Sequence, residues 1–241
     1  MGTQLAQVGW SVDGCVSDPD ARFLVAGGDP ISRQLLGNAL RESGRLHFVA
    51  DVDIGRPVPE WPLDRVDLVV LVVGVQDDHL RTVRQLARNT VRVLLIGSGW
   101  TRAGLDAAFT SGAAGCLDRD TRIGGLATAA RAVASGHTVL SPELLALYRA
   151  PARPVCGTAP SPAPSAAHSL KRLLSALTDR EREVLSLLSV GLSTAEAAVS
   201  LKVSPATVKS HVSHAISKLG VRNRLEAVLL VQRQAGRRAQ A

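Results

Sequence analysis

The segment SPATVKSHVSHAISKL, residues 204 to 219, places apolar side chains at Val208, Val212, Ala215 and Leu219. That i, i+4, i+7, i+11 spacing makes one buried stripe along a helix. The opposite face then presents Lys209, Ser210, Ser213 and Ser217, small or cationic groups that can enter a DNA major groove without steric conflict. A lysine ammonium donates to guanine O6 and N7, and a serine hydroxyl donates to or accepts from several base edges. Ser204 and Pro205 cap the helix, whose first-turn amides and dipole favour phosphate. His211 and His214 stand three apart, but no Cys, Asp or Glu joins them on that helix, so a metal site is not expected.

Such a helix must be held by others. TAEAAVSLK precedes it, capped by Ser193 and joined to it only by Lys202 and Val203, which is helix-turn-helix spacing. Before that, Thr178 caps DREREVLSLLSV with Glu181 at the N3 position of a capping box, and Gly191 closes the helix. Gly220 ends the third helix, and a fourth begins near Arg224. On the fourth, Ala227, Val228 and Val231 form a small apolar face that serves either the core or a dimer seam. Arg222 and Arg224 at its mouth are either phosphate contacts or solvated charges.

Charge supports the same partner. The chain has 241 residues and a net charge of +7, yet residues 1 to 167 carry 16 Arg, no Lys and 16 acids, whereas residues 168 to 241 carry 12 Lys and Arg against 5 acids. All the excess positive charge sits in the last 74 residues, as expected when one module meets a polyanion. At 46% apolar, the chain has ample material for packed cores. Its longest apolar run, Leu68 to Val73, is far too short to span a membrane. No signal peptide is visible in MGTQLAQVGWSVDGC, so a cytoplasmic address is expected. Cys15, Cys116 and Cys156 are odd in number and far apart, and read as free thiols.

Five of the twelve prolines fall between Pro151 and Ser169, within a linker expected over 141 to 170. It separates a first domain over 21 to 140, preceded by a loose extension over 1 to 20, from a helical domain over 171 to 241. In the first domain, RFLVA at 22 to 26, HFVADV at 47 to 52, DLVVLVV at 67 to 73, VRVLLI at 91 to 96 and AGCL at 114 to 117 read as five strands. The third and fourth are apolar at successive positions, as strands buried on both faces of a parallel sheet must be. Helices are expected at about 30 to 43, 77 to 89, 101 to 112 and 121 to 136, the first opened by Asp29 and Pro30. The segment IGRPVPEWPL, with three prolines, is the weakest helix of the series. The alternation implies an α/β doubly wound five-stranded parallel sheet followed by an all-α helix-turn-helix domain of four helices.

The stretch LTDREREVLSLLSVGLSTAEAAVSLKVSPATVKSHVSHAISKLGVRNRLEAV, residues 177 to 228, resembles the LuxR/FixJ-type (NarL-like) DNA-binding domain nearly end to end. Its hallmarks here are Leu177, Thr178, Arg180, Glu181, Val184, Leu185, Gly191, Ser204, Thr207, Val208, Lys209, His211, Lys218, Leu219, Gly220 and Arg224. The resemblance implies that the third helix reads bases and that the fourth supports dimerisation. Carried onto this sequence, it makes Lys209, Ser210 and Ser213 base readers, with Ser204, Thr207, His211, Lys218, Arg222 and Arg224 along phosphates. Some relatives have lysine where Ser213 stands, so base preference does not transfer.

The first domain resembles a response-regulator receiver, through its β/α order, the Asp29-Pro30 pair, and GAAGCLDRD followed by a helix ending VASGHTVLSPEL. A receiver's site lies at the carboxyl ends of its strands. Family receivers place an acidic pair after the first strand, an acceptor aspartate at the end of the third, a hydroxyl after the fourth and a lysine after the fifth. Here those positions hold Gly27 and Gly28, Val72, Gly97 and Arg119. Valine has no nucleophilic oxygen, and without the acidic pair no Mg²⁺ is held to neutralise an entering phosphoryl group. Asp29, Asp77 and Asp78 are the nearest substitutes in the chain.

The implied protein is an atypical response regulator: a phosphorylation-independent, sequence-specific transcription factor that binds double-stranded DNA as a homodimer on pseudo-palindromic sites. Its receiver serves dimerisation, or holds a small-molecule ligand in the emptied pocket of Gly27, Gly28, Val72, Gly97, Ser98 and Arg119, where arginine could contact an anion. Contacts with other proteins are the third role, and the alternative to a ligand pocket is a space collapsed on apolar side chains. RNA polymerase is a further partner consistent with this reading; no cofactor and no membrane contact are expected. The rival class is a ligand-sensing or protein-interaction adaptor without direct DNA readout. An enzyme is disfavoured, since AGGDP and IGSGW contain neither GxGxxG nor GxSxG.

Overall fold

The computed structural model describes residues 20–42, 44–74, 79–121, 123–149 and 174–238. The extension before Asp20, Asp77 and Asp78, Cys15 and Cys156, and the proline-rich part of the linker lie outside the described residues. The chain forms two compact units, the first ending at Leu147 and the second starting at Tyr148, apart from a few N-terminal residues outside the description.

In the first unit six strands lie parallel in the order β2-β1-β3-β4-β5-β6. They are β1 (Ala21–Gly27), β2 (Leu46–Asp53), β3 (Leu68–Val72), β4 (Arg92–Gly97), β5 (Gly115–Asp118) and β6 (Val139–Leu140). The expected five become six because Val139 and Leu140 pair with Gly115 and Cys116 at the sheet edge. A two-residue strand has too little alternation to announce itself in sequence. All of LVVLV in β3 is buried, as its unbroken apolar run requires for a strand covered on both faces.

The helices are α1 (Pro30–Arg41), α2 (His79–Arg88), α3 (Arg102–Thr110), α4 (Ile123–Ala134) and α5 (Pro142–Arg149). Asp29 caps α1 by accepting from the amides of Ile31 and Ser32. Helices α1 and α4 share one face, where Phe23, Val25, Val70, Leu94 and Ile96 join Leu40, Leu126 and Ala130 in a single core. Between β2 and β3 no α-helix forms. Pro57, Pro59 and Pro62 remove the amides a helix needs, and two short 3₁₀ turns, Val58–Glu60 and Leu63–Arg65, replace it. Buried Trp61 anchors that segment, donating its indole N–H to the Arg56 carbonyl at 3.1 Å. The expected linker also starts later than 141, because PELLALYR continues as α5 from Pro142 at its first turn.

The second unit holds α6 (Asp179–Ser189), α7 (Thr194–Ser200), α8 (Pro205–Leu219) and α9 (Arg224–Arg238). Two capping boxes open α6 and α7: Thr178 with Glu181, and Ser193 with Glu196. Val184, Leu188, Ala197, Val208, Val212 and Val228 form one core cluster, and Leu185, Ala215, Leu219, Ala227 and Val231 a second. Ala227, Val228 and Val231 therefore belong to the core of this unit.

Candidate nucleic-acid interface

Helix α8 is fixed at both ends. The Ser204 hydroxyl accepts from the Thr207 amide at 3.1 Å and lies 2.8 Å from the Thr207 hydroxyl. At the other end Gly220 takes φ 64°, a left-handed conformation in which its amide reaches the carbonyls of Ile216 and Ser217. The turn from α7 to α8 is closed by Lys202, also left-handed at φ 54°. Burying Val208, Val212, Ala215 and Leu219 leaves Lys209, Ser210, Ser213, His214 and Ser217 exposed on the outside of α8. A helix about 10 Å across with short outward side chains matches the width of a B-DNA major groove.

The expected base readers Lys209, Ser210 and Ser213 thus share one exposed face. Ser213 also donates its hydroxyl to the Lys209 carbonyl at 3.0 Å. Thr207 and His211 are half-buried beside that face, and Ser204 is exposed at its start. Arg222 is exposed, with its backbone amide bonded to the Glu226 carboxylate at 3.0 Å.

Two expected phosphate contacts have other partners. Lys218 donates to the buried Glu181 carboxylate at 2.8 Å, tying the last turn of α8 to the first turn of α6. Burial pushes the Glu181 carboxyl up, but hydrogen bonds from Lys218 and from the amide of Thr178 outweigh it and carry the group down to about 2. Arg224 is neither a solvated charge nor turned outward. Its guanidinium donates to the Thr194 hydroxyl at 2.9 Å, its Nε is buried, and burial pushes it down to about 10, so it stays charged at neutral pH.

Sequence reasoning missed His214 on the exposed face of α8 because it weighed that residue only as a metal ligand. Its spacing of four from Ser210 and three from Ser217 was the available signal. Among the described residues no cluster of three His, Cys, Asp or Glu could hold a metal ion.

The first unit brings a second set together. Parallel register aligns Ala26 with Leu71, Val72 with Ile96 and Gly97 with Asp118, so Gly27, Val72, Gly97 and Arg119 meet at the carboxyl ends of neighbouring strands. The space between them is filled. A Cβ on Gly27 would lie 3.1 Å from the Val72 Cβ, and one on Gly97 only 2.7 Å from a Val73 methyl and 3.3 Å from the Trp100 ring. Trp100 closes over this end, its indole N–H shared by the carbonyls of Gly97 and Leu117 at 3.0 and 3.1 Å. Arg119 donates to the Ser32 hydroxyl at 3.1 Å, and Ser32 donates to Asp29. Those hydrogen bonds from Ser32 hold the Asp29 carboxyl below its ordinary range. Gly28 and Ser98 are exposed at the rim.

Comparison with known proteins follows the same two units. Residues 175–231 match the family described as bacterial regulatory proteins, luxR family. The Mycobacterium tuberculosis protein named "Probable transcriptional regulatory protein NarL" is 30% identical over 221 residues, covering 90% of this chain and 96% of that one. The chain belongs to the LuxR/FixJ family of response regulators. The Bacillus subtilis protein named "Transcriptional regulatory protein LnrK" is 35% identical over 218 residues, covering 86% of this chain and 94% of its own. Among solved structures, the response regulator ChrA of a heme-sensing two-component system is 28% identical, with a TM-score of 0.47 and coverage of 90% of this chain and 98% of that one. As a LuxR-family response regulator the chain is a transcriptional regulator with a DNA-binding helix-turn-helix, and the family is one of regulators, not enzymes. No helix among the described residues is long and apolar enough to cross a membrane.

Proposed function

We propose that this regulator controls transcription without aspartyl phosphorylation, binding as a dimer to pseudo-palindromic DNA. The observation that carries the reading is the junction of Gly27 and Val72. At the strand ends where a phosphoryl group and its Mg²⁺ would need carboxylates, a glycine packs on a valine, and Val73 and Trp100 crowd Gly97 beside them. Val72 packed on Gly27 puts no carboxylate at the ends of β1 and β3, which also favours a filled site over a ligand pocket.

In this reading Lys209, Ser210 and Ser213 read bases, while Ser204, Thr207, His211 and Arg222 lie along phosphates. Lys218 and Arg224 act as positioning residues, because Glu181 and Thr194 engage them within the unit. Dimerisation is assigned to the first unit, since Ala227, Val228 and Val231 of α9 are buried in the core. Ile31 and Leu35, one turn apart and about two-thirds exposed on α1, supply apolar contact area for it. Two recognition helices in successive major grooves require half-sites about one helical turn apart. RNA polymerase would be met by the DNA-bound dimer.

The test is incubation of the full chain with acetyl phosphate and Mg²⁺, followed by intact-mass measurement and footprinting. The expected result is an unchanged mass, with the same paired half-sites protected before and after treatment. One acid-labile phosphoryl group per chain would overturn the proposal.

A further inference from the structure

A serine has a single proton to donate, so what it can read depends on where that proton goes. In α8 the Ser213 hydroxyl spends it on the Lys209 carbonyl, at 3.0 Å. This is the back-bond to the preceding turn that helical serines make. The oxygen then keeps only lone pairs for any outside partner. Ser213 is exposed on the side of α8 away from Val208, Val212, Ala215 and Leu219. Ser210, on the same face, is exposed as well and makes no such bond to its helix. It stays free to donate or accept.

Resting on the reading of α8 as the base-reading helix, we infer that Ser213 acts as a hydrogen-bond acceptor that selects adenine or cytosine on the strand it faces. In the major groove adenine presents its N6 amine and cytosine its N4 amine, both donors. Guanine and thymine present O6, N7 or O4 there, and acceptor would meet acceptor. Selection is therefore partly by repulsion of the wrong base.

Lys209 has the opposite polarity. Its ammonium offers three donors and no acceptor, which suits guanine. Four residues apart on one helix, the two lie about 6 Å apart along the axis, or about one to two base steps. The half-site should thus contain a guanine with an amine-bearing base one or two steps away. A lysine in place of Ser213 would turn an acceptor into a donor and move the preference to guanine.

The experiment is selection of sites by the full chain from a random duplex library, then equilibrium titration of the best site with all four bases at each position. Wild type, Ser213→Thr, Ser213→Ala and Ser213→Lys are compared. One position should prefer adenine or cytosine by about three- to tenfold, the worth of one hydrogen bond. Thr should keep that preference, since it keeps the hydroxyl and the back-bond, Ala should flatten it, and Lys should turn it to guanine. If the selected site is specific yet every preference survives in the Ala variant, the inference falls alone. It falls too if the position that responds to Ser213 prefers guanine or thymine in the wild type. If no motif is selected, base reading by α8 is refuted and this inference with it.

Discussion

Replacing Lys218 by Met would separate two roles that sequence alone cannot distinguish. The Lys218 ammonium lies 2.8 Å from a Glu181 carboxylate whose side chain is only 4% exposed, whereas Lys218 itself is 39% exposed. Glu181 falls from an ordinary value of 4.5 to about 2 in the fold, against the upward push of burial. At about 1.4 kcal/mol per pH unit, that fall corresponds to about 3 kcal/mol shared among all the groups that bond to it. Solvent screens the half-exposed ammonium, so its own share is at most about half, about 1.5 kcal/mol. For a helical unit of this size the loss corresponds to about 6 to 12 °C in Tm. The sign follows from a folded pKa below the unfolded one. The stabilisation is complete above about pH 4.5 and disappears as pH falls towards 2, so wild type and variant should converge in acid.

Thermal unfolding of the full chain followed by far-UV circular dichroism reads the effect. Trp61 and Trp100 lie in the first unit, so in a Trp10→Phe background fluorescence follows that unit and serves as the internal control. Equal midpoints at neutral pH, or a gap that persists at pH 2, would refute the ion-pair argument. DNA titration at several salt concentrations supplies the contrast. A phosphate contact at Lys218 would lower the salt slope by about 0.9, whereas the ion pair predicts an unchanged slope.

Two further expectations follow from single contacts. Lys209→Ala should cost about 1 to 3 kcal/mol in operator binding and relax base preference at one position, measured by titration against substituted sites. Gly97→Ala should destabilise the first unit by about 1 to 3 kcal/mol, because the added methyl would sit 2.7 Å from Val73, with an altered Trp100 emission on unfolding as the readout.

Local rules carried much of the architecture. Unbroken apolar runs marked β3 and β4, and hydroxyl caps three residues before a glutamate marked α6. The apolar stripe of α8 marked its outward face. The same periodicity would have placed His214 there. Prolines at 57, 59 and 62 warned against the missing helix, and the structure shows what filled the gap, the buried Trp61. The edge strand Val139–Leu140 was illegible because two residues have no period.

What the chain determined by itself was the set of available groups: a cationic, hydroxyl-rich helix, and strand ends holding glycine and valine. Composition is local, and so are caps and periodicity. What only the tertiary structure decided was which of those groups are spent. Lys218 is paired with a carboxylate 37 residues away, Arg224 with a hydroxyl 30 residues away, and Arg119 with a serine 87 residues away. A pairing across such distances is set by how helices and strands pack, because a hydrogen bond requires contact within about 3 Å and nothing in the linear order of residues specifies it.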